Sequence, residues 1–188
     1  MANFIFIPAN DMSLPQEDRQ LQEARRQLGK SVPTVIDYGH MGGRTPGVLA
    51  CVGPLDTLYI SGHSNGITLA YQRHKNNWTE FSAERLAALL EHEELTYQIG
   101  RIKVFGCHTG GRDGVESPFA HRLKRCLLHL GYSRVVVFGY TEDVVQNYSQ
   151  RLVPGGVGVE LSSVHKGGGP IHPVYDVRAR ASVYRVAF

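Results

Sequence analysis

No apolar run in the sequence approaches the roughly 18 residues that a membrane-spanning helix needs. The run nearest the start, Phe4 to Ile7, has no cationic stretch before it, so neither a membrane span nor a secretory signal is expected. Long runs of one charge sign are also missing. The balance of 20 Lys+Arg against 17 Asp+Glu, formally +3 at neutral pH, is too mild to argue for a nucleic-acid partner. Cysteine is scarce: Cys51, Cys107 and Cys126 are an odd number without the close pairing of a zinc site. They read as reduced thiols, each to be explained by packing or by chemistry. There is no G-x-G-x-x-G loop opening a helix, because Gly155-Gly156-Val157-Gly158 opens a strand pattern, and no internal repeat is visible.

What remains is an ordinary globular chain of 188 residues, 42% apolar and 20% charged, long enough for one domain with its own core. Asn3 to Pro8 reads as a strand, and Ser13, with Pro15 and Gln16 behind it, as the capped start of a helix that stops at Gly29. TVIDY reads as a strand, and GVLACV as an edge hairpin that packs Cys51. Leu55 to Ser61 is a strong strand, ITLAYQ alternates like a short one, and a polar loop follows. Ser82 caps a helix through Leu90, Arg101 to Gly106 is a strand, Ser117 caps a helix to Gly131 with Cys126 in its apolar stripe, and Arg134 to Gly139 is another strand. Strands alternating with helices imply an α/β fold with a mainly parallel sheet over about residues 1–146. From about residue 147 to 188, VGVELSSV, PVYDVRA and SVYRVAF have no helices between them and read as a C-terminal antiparallel β appendage.

In an open parallel sheet the ligand crevice lies at the carboxyl ends of the strands. His63 follows one strand by a single glycine, Gly62, and Cys107 follows another by Gly106, with one helix between them. Neighbouring strands lie about 4.8 Å apart, so an imidazole and a thiol at equivalent ends form a base and a nucleophile. Gly62 and Gly106 let the backbone come close to a substrate, amides near Ser64 and Cys107 are candidates for holding an oxyanion, and His108, Thr109 and Arg112 are candidates to line the pocket.

The sequence SGHSNG, the Ser-capped helix SAERLAALL, the strand ending VFGCHTGG and the helix SPFAHRLKRCLLHLG resemble the caspase-like (clan CD) cysteine peptidases. They are most similar to the self-processing peptidase domain of MARTX and large clostridial glucosylating toxins. The resemblance covers roughly Leu55 to Tyr140. It implies a caspase-like three-layer sandwich, a Cys107/His63 dyad, a protein or peptide substrate, and no cofactor or metal in the chemistry. It also implies inositol hexakisphosphate as an activator bound near C-terminal strands. There Lys166, Arg178, Arg180 and Arg185 supply charge, a sparser set than six phosphate groups call for. The family places Gly after the histidine where this chain has Ser64. With no toxin body, the expectation is cleavage of another protein in trans, in the cytoplasm or after export by a route that needs no signal peptide. Arg44 and Arg112 would favour an acidic side chain before the cleaved bond, whereas the toxin family prefers an apolar one.

Other assignments compete. His40, also after an apolar run, is the alternative base. Gly62 to Gly66 spells G-x-S-x-G, so Ser64 with Asp143 and His165 or His172 gives a serine esterase in the right chain order, but that elbow requires a helix directly after the serine. A metal site on His63, Cys107 and His108 lacks further ligands at recognised spacing. The reading from another class is a non-catalytic module that binds a protein through the same crevice.

Overall fold

The structure is a computed structural model that describes residues 1–27, 29, 31–41, 46–111, 117–141, 143–145, 150–153, 156–159, 163–165 and 185–188. Its first half contains β1 (Asn3–Ile7), α1 (Leu14–Gln27), β2 (Thr34–Asp37), α2 (Tyr38–Met41), β3 (Thr57–Ser61), β4 (His63–Ser64), β5 (Leu69–His74), β6 (Asn77–Phe81) and α3 (Ala83–His92). The second half contains β7 (Arg101–Phe105), α4 (Phe119–His129), β8 (Val136–Tyr140), β9 (Asp143–Val145), β10 (Gln150–Val153), β11 (Gly156–Val159), β12 (Ser163–His165) and β13 (Arg185–Ala187).

The apolar runs form the main sheet, in the order β2-β1-β3-β7-β8-β13. Every pairing in it is parallel except that of β13 with β8. The fold is therefore α/β with a mainly parallel sheet, and a separate antiparallel sheet, β4-β5-β6, stands apart from it. Alternation within the strands selects the faces. Leu58, Ile60, Ile102, Val104 and Val137 are buried in one cluster with Leu86 and Leu90 of α3 and Phe119, Leu123 and Leu127 of α4. α3 and α4 pack on each other, and Ser82 Oγ accepts from Arg85 N at 3.2 Å to cap α3 as the sequence predicts. The sheet grows in one direction from β1 to β2 and in the other from β3 to β8. The ends of β1 and β3 thus flank the reversal point where such sheets open a crevice.

Four expectations are corrected. GVLACV is not a hairpin: residues 46–51 form turns, anchored by Leu49 N to Glu93 O at 3.0 Å, and Cys51 is exposed rather than packed in an edge strand. Pro46 and Gly47, at φ 75°, break any strand there. The polar loop after ITLAYQ is instead the second strand of a β5/β6 hairpin, turning at Asn76 with φ 67°. Its outward face is so polar that alternation fades there.

At α4 the cap position is Pro118, not Ser117, and no side chain caps it. The first amides are met by tertiary partners instead, described below. At the C-terminus, β13 pairs with β8 in register Arg185↔Tyr140, so the last strand belongs to the main sheet and not to an appendage. β9 with β12 and β10 with β11 make two small antiparallel ladders. PVYDVRA lies outside the described residues. Among the described residues no helix is long and apolar enough to cross a membrane.

Candidate functional site

β3 and β7 are adjacent and parallel, with Ser61 opposite Phe105 at their carboxyl ends. His63 and Cys107 each come two residues later, so both loops leave the sheet at one rim, as the spacing of the two segments predicts. Gly62 N donates to Phe105 O at 3.2 Å, carrying the ladder one step past the last strand pair. Both glycines are required by space. A Cβ at Gly62 would lie 2.6 Å from the Tyr71 hydroxyl, and one at Gly106 would lie 2.7 Å from the Gly62 carbonyl. Tyr71 is fully buried and donates to Ser61 O at 3.0 Å, bracing the end of β3 from below. Burial, with the Asp11 and Asp18 charges, pushes its hydroxyl far above the ordinary range, so it stays a neutral donor.

The third contributor was not found in the sequence. Asp11 follows β1 by four residues, on the other side of β3 from Cys107, and its side chain is fully buried. Oδ1 accepts from Ser13 N at 2.9 Å, Leu14 N at 3.0 Å and Ser13 Oγ at 3.1 Å, so the carboxylate, not the predicted Ser13 hydroxyl, caps α1. Oδ2 accepts from Gln72 N at 2.7 Å and lies 3.4 Å from His63 Nε2. Burial alone would raise the carboxyl. The bond to His63 and the amides of Leu14, Gln72 and Ser13 outweigh it and hold the group well below its ordinary 3.8. An ionised, fixed acceptor at Nε2 holds the ring with a proton there and leaves Nδ1 as the basic nitrogen. Trp78 of β6 sets its ring edge-on to the imidazole, centroids 5.6 Å apart and planes at 80°, with 48% of its surface exposed.

One helix end holds both loops. Phe119 N donates to Gly66 O and Ala120 N to Thr109 O, each at 2.9 Å, so the start of α4 receives one carbonyl from the segment after His63 and one from the segment after Cys107. Thr109 was expected in the pocket wall. It is fully buried, its hydroxyl lying 3.0 Å from both Val104 O and Gly106 O and accepting from Tyr140 N at 3.1 Å, so it staples the turn instead. His108 sits in the left-handed region, φ 54°, with Nδ1 on Thr141 O at 3.0 Å. A carbonyl only accepts, so that nitrogen carries the proton. Cys107 and His108 thus lie in a tight turn at the end of β7.

Ser64 lies in β4 and its Oγ accepts from Gly66 N at 2.9 Å; the chain then enters β5 rather than a helix, so the elbow context is absent at this serine. His40, in α2, pairs through Nδ1 with Asp37 at 2.7 Å, beyond β2 at the sheet edge. Cys126 packs against the core, and burial followed by the nearby Glu84 pushes its thiol up, which makes it a sluggish nucleophile. Arg185 stacks over the Phe138 ring at 5.0 Å. Arg44, Arg112, Lys166, His172, Arg178 and Arg180 lie outside the described residues, as do the side chains of Asp143 and His165. Among the described residues no group of three or more His, Cys, Asp or Glu side chains is gathered to hold a metal ion. No protein-family model matches the chain, and no match was found among curated proteins.

Proposed function

We propose that this chain is a cysteine peptidase of caspase-like type that cleaves a peptide bond through Cys107, His63 and Asp11. The single observation that carries the reading is the parallel β3/β7 pair, with Ser61 opposite Phe105, which sends the histidine and the cysteine out at one rim. The resemblance to the toxin peptidase domains expects that placement. The right-handedness of β-α-β crossovers supports the three-layer form, since growth of the sheet in both directions from the β1/β3 boundary puts α1 on one face and α3 and α4 on the other.

In the proposed chemistry His63 takes the proton from the Cys107 thiol, and the thiolate attacks the substrate carbonyl carbon. Backbone amides of the two glycine-flanked loops receive the oxyanion. As the tetrahedral adduct collapses, the imidazolium returns its proton to the leaving amine and the acyl group stays on sulfur. Water, deprotonated by His63, then attacks the thioester carbonyl, releasing the acid and restoring the thiol. Asp11 acts through His63, fixing the ring and the tautomer, and is a positioning residue. Inositol hexakisphosphate as an activator would draw on Arg185 and on Lys166, Arg178 and Arg180.

The test is thiol labelling at neutral pH in a Cys51→Ser background, since Cys51 is exposed and would react regardless of chemistry. An acyloxymethyl ketone or iodoacetamide is expected to mark Cys107 ahead of Cys126. An ordinary thiol is only a few per cent thiolate at pH 7, so His63→Ala is expected to slow the reaction of Cys107 by up to about thirtyfold. Equal labelling of Cys107 and Cys126, unaffected by His63→Ala, would favour a non-catalytic module.

A further inference from the structure

A second concave site lies behind the β5/β6 hairpin. In that hairpin Leu69 pairs with Phe81 and Tyr71 with Thr79 on one face, while Gln72 pairs with Trp78 on the other, where Trp78 meets His63. A cavity of about 570 Å³ opens on the Phe81/Thr79 side, between the hairpin, α3 and the ends of β1 and β2. It is within the size range of small-molecule sites, and the hairpin separates it from the imidazole.

Its lining has a definite chemistry. Among the described lining residues Tyr38, Phe81 and Leu89 give an apolar floor, Asn10 and Thr79 give neutral polar groups, and the charged members are Arg73 and Arg85; the buried Glu93 carboxylate meets the Tyr38 hydroxyl behind that floor. Arg85 is aimed by two contacts: its guanidinium lies 4.2 Å from the Phe81 ring centroid, and Nη1 donates to Glu80 O at 2.8 Å. Most of its five donors are left for other acceptors. Arg73 is the extra residue of a β-bulge, since Gln72 pairs with Trp78 and His74 with Asn77. Bulges of this kind redirect a side chain and recur beside functional sites. Two guanidiniums over an apolar floor match a ligand with an anionic head and an apolar body.

We propose that this cavity binds a small organic phosphate or carboxylate, its anion held by Arg73 and Arg85 and its apolar part on Tyr38, Phe81 and Leu89. The site is independent of the dyad's chemistry and stands whether or not Cys107 is a nucleophile.

The experiment is a titration of the whole chain with phenyl phosphate and, separately, phenylacetate, followed by amide chemical shifts. Inorganic phosphate and benzyl alcohol serve as the two halves of the probe. Shifts are expected to cluster at Arg73, Thr79, Phe81 and Arg85. At least one probe is expected to bind about tenfold tighter than either half, and Arg73→Gln and Arg85→Gln each to weaken it by roughly tenfold. Arg73 is exposed at a strand end, so Arg73→Gln still gives a folded protein to measure if Arg85→Gln does not. Shifts scattered elsewhere, binding equal to that of either half, or unchanged affinity in the folded variants would overturn the proposal.

Discussion

Asp11→Ala is expected to cost about 3 to 5 kcal/mol of folding stability, read as a fall in the urea midpoint at unchanged slope. The size follows from what one buried carboxylate holds together. Removing it leaves the amides of Ser13 and Leu14 at the start of α1 and that of Gln72 in β5 without their acceptor. A lost helix cap alone costs roughly 0.5 to 2 kcal/mol, and each buried donor left unsatisfied costs about 1 to 3 kcal/mol, with neighbouring losses not additive. Met12 N donates to Gln72 O at 3.0 Å, so the segment before α1 keeps one backbone bond to β5 when the carboxylate is lost.

The pH dependence of this effect has a fixed sign. The folded carboxyl titrates well below its unfolded value of about 3.8. The stability it contributes is therefore complete above the unfolded value and is lost as pH falls from about 4 toward the lowered folded one. The gap between wild type and Asp11→Ala should narrow as pH falls below about 4, where the carboxylate takes up its proton in the unfolded chain first; a gap that keeps widening below that pH would contradict the assignment. Asp11→Asn separates the positioning role from the cap. It retains an acceptor for Ser13 and Leu14 but sets an NH₂ against Gln72 N, itself a donor, and against His63 Nε2, which forces the proton onto Nδ1. If Asp11 positions the imidazole, Asp11→Asn keeps more of the fold than Asp11→Ala and still slows thiol labelling at Cys107; a merely structural Asp11 would slow neither variant's labelling beyond its unfolding.

The contrast between what the sequence discloses and what it hides follows the range of the interactions. Strands such as β3, β7 and β8 are read directly from their apolar runs, and Ser82 caps α3 by a bond three residues long. From the two strand ends, Gly62-His63 and Gly106-Cys107 can be matched because parallel pairing is in register over the whole of β3 and β7. Asp11 escapes such reasoning. Its local appearance, two residues before a helix-starting Ser-Leu-Pro, is that of a cap and nothing more. Only the order β2-β1-β3 brings the loop after β1 alongside the imidazole. Trp78 was hidden for a related reason, since it lies on the polar face of a hairpin whose other face supplies the apolar contacts. The start of α4 shows a third case: its cap is made of loop carbonyls 53 and 11 residues away, at Gly66 and Thr109, which no local pattern encodes.

Gly139→Ala is expected to be nearly as damaging as Asp11→Ala, at about 3 to 5 kcal/mol, although it adds only a methyl group. A Cβ on Gly139 would lie 2.5 Å from Gly110 N and 2.6 Å from both Gly110 Cα and Thr109 C, all of them backbone atoms that cannot swing aside. The two chains touch here because Gly110 N donates to Tyr140 O at 2.7 Å while Tyr140 N donates to the Thr109 hydroxyl. Forcing them apart breaks both bonds and lifts the turn that follows Cys107 off the end of β8. A well-chosen control is Gly100→Ala, where the nearest neighbour to a new Cβ is Pro54 O at 3.5 Å, an ordinary contact, so the change should stay within about 0.5 kcal/mol. Urea unfolding of the two variants measures the difference, and labelling of Cys107 in the folded fraction tests its consequence. If the turn depends on this glycine pair for its position, reaction at Cys107 in Gly139→Ala becomes insensitive to His63→Ala. If Gly139→Ala is as stable as Gly100→Ala, the close approach of the two backbones is not what fixes the cysteine loop.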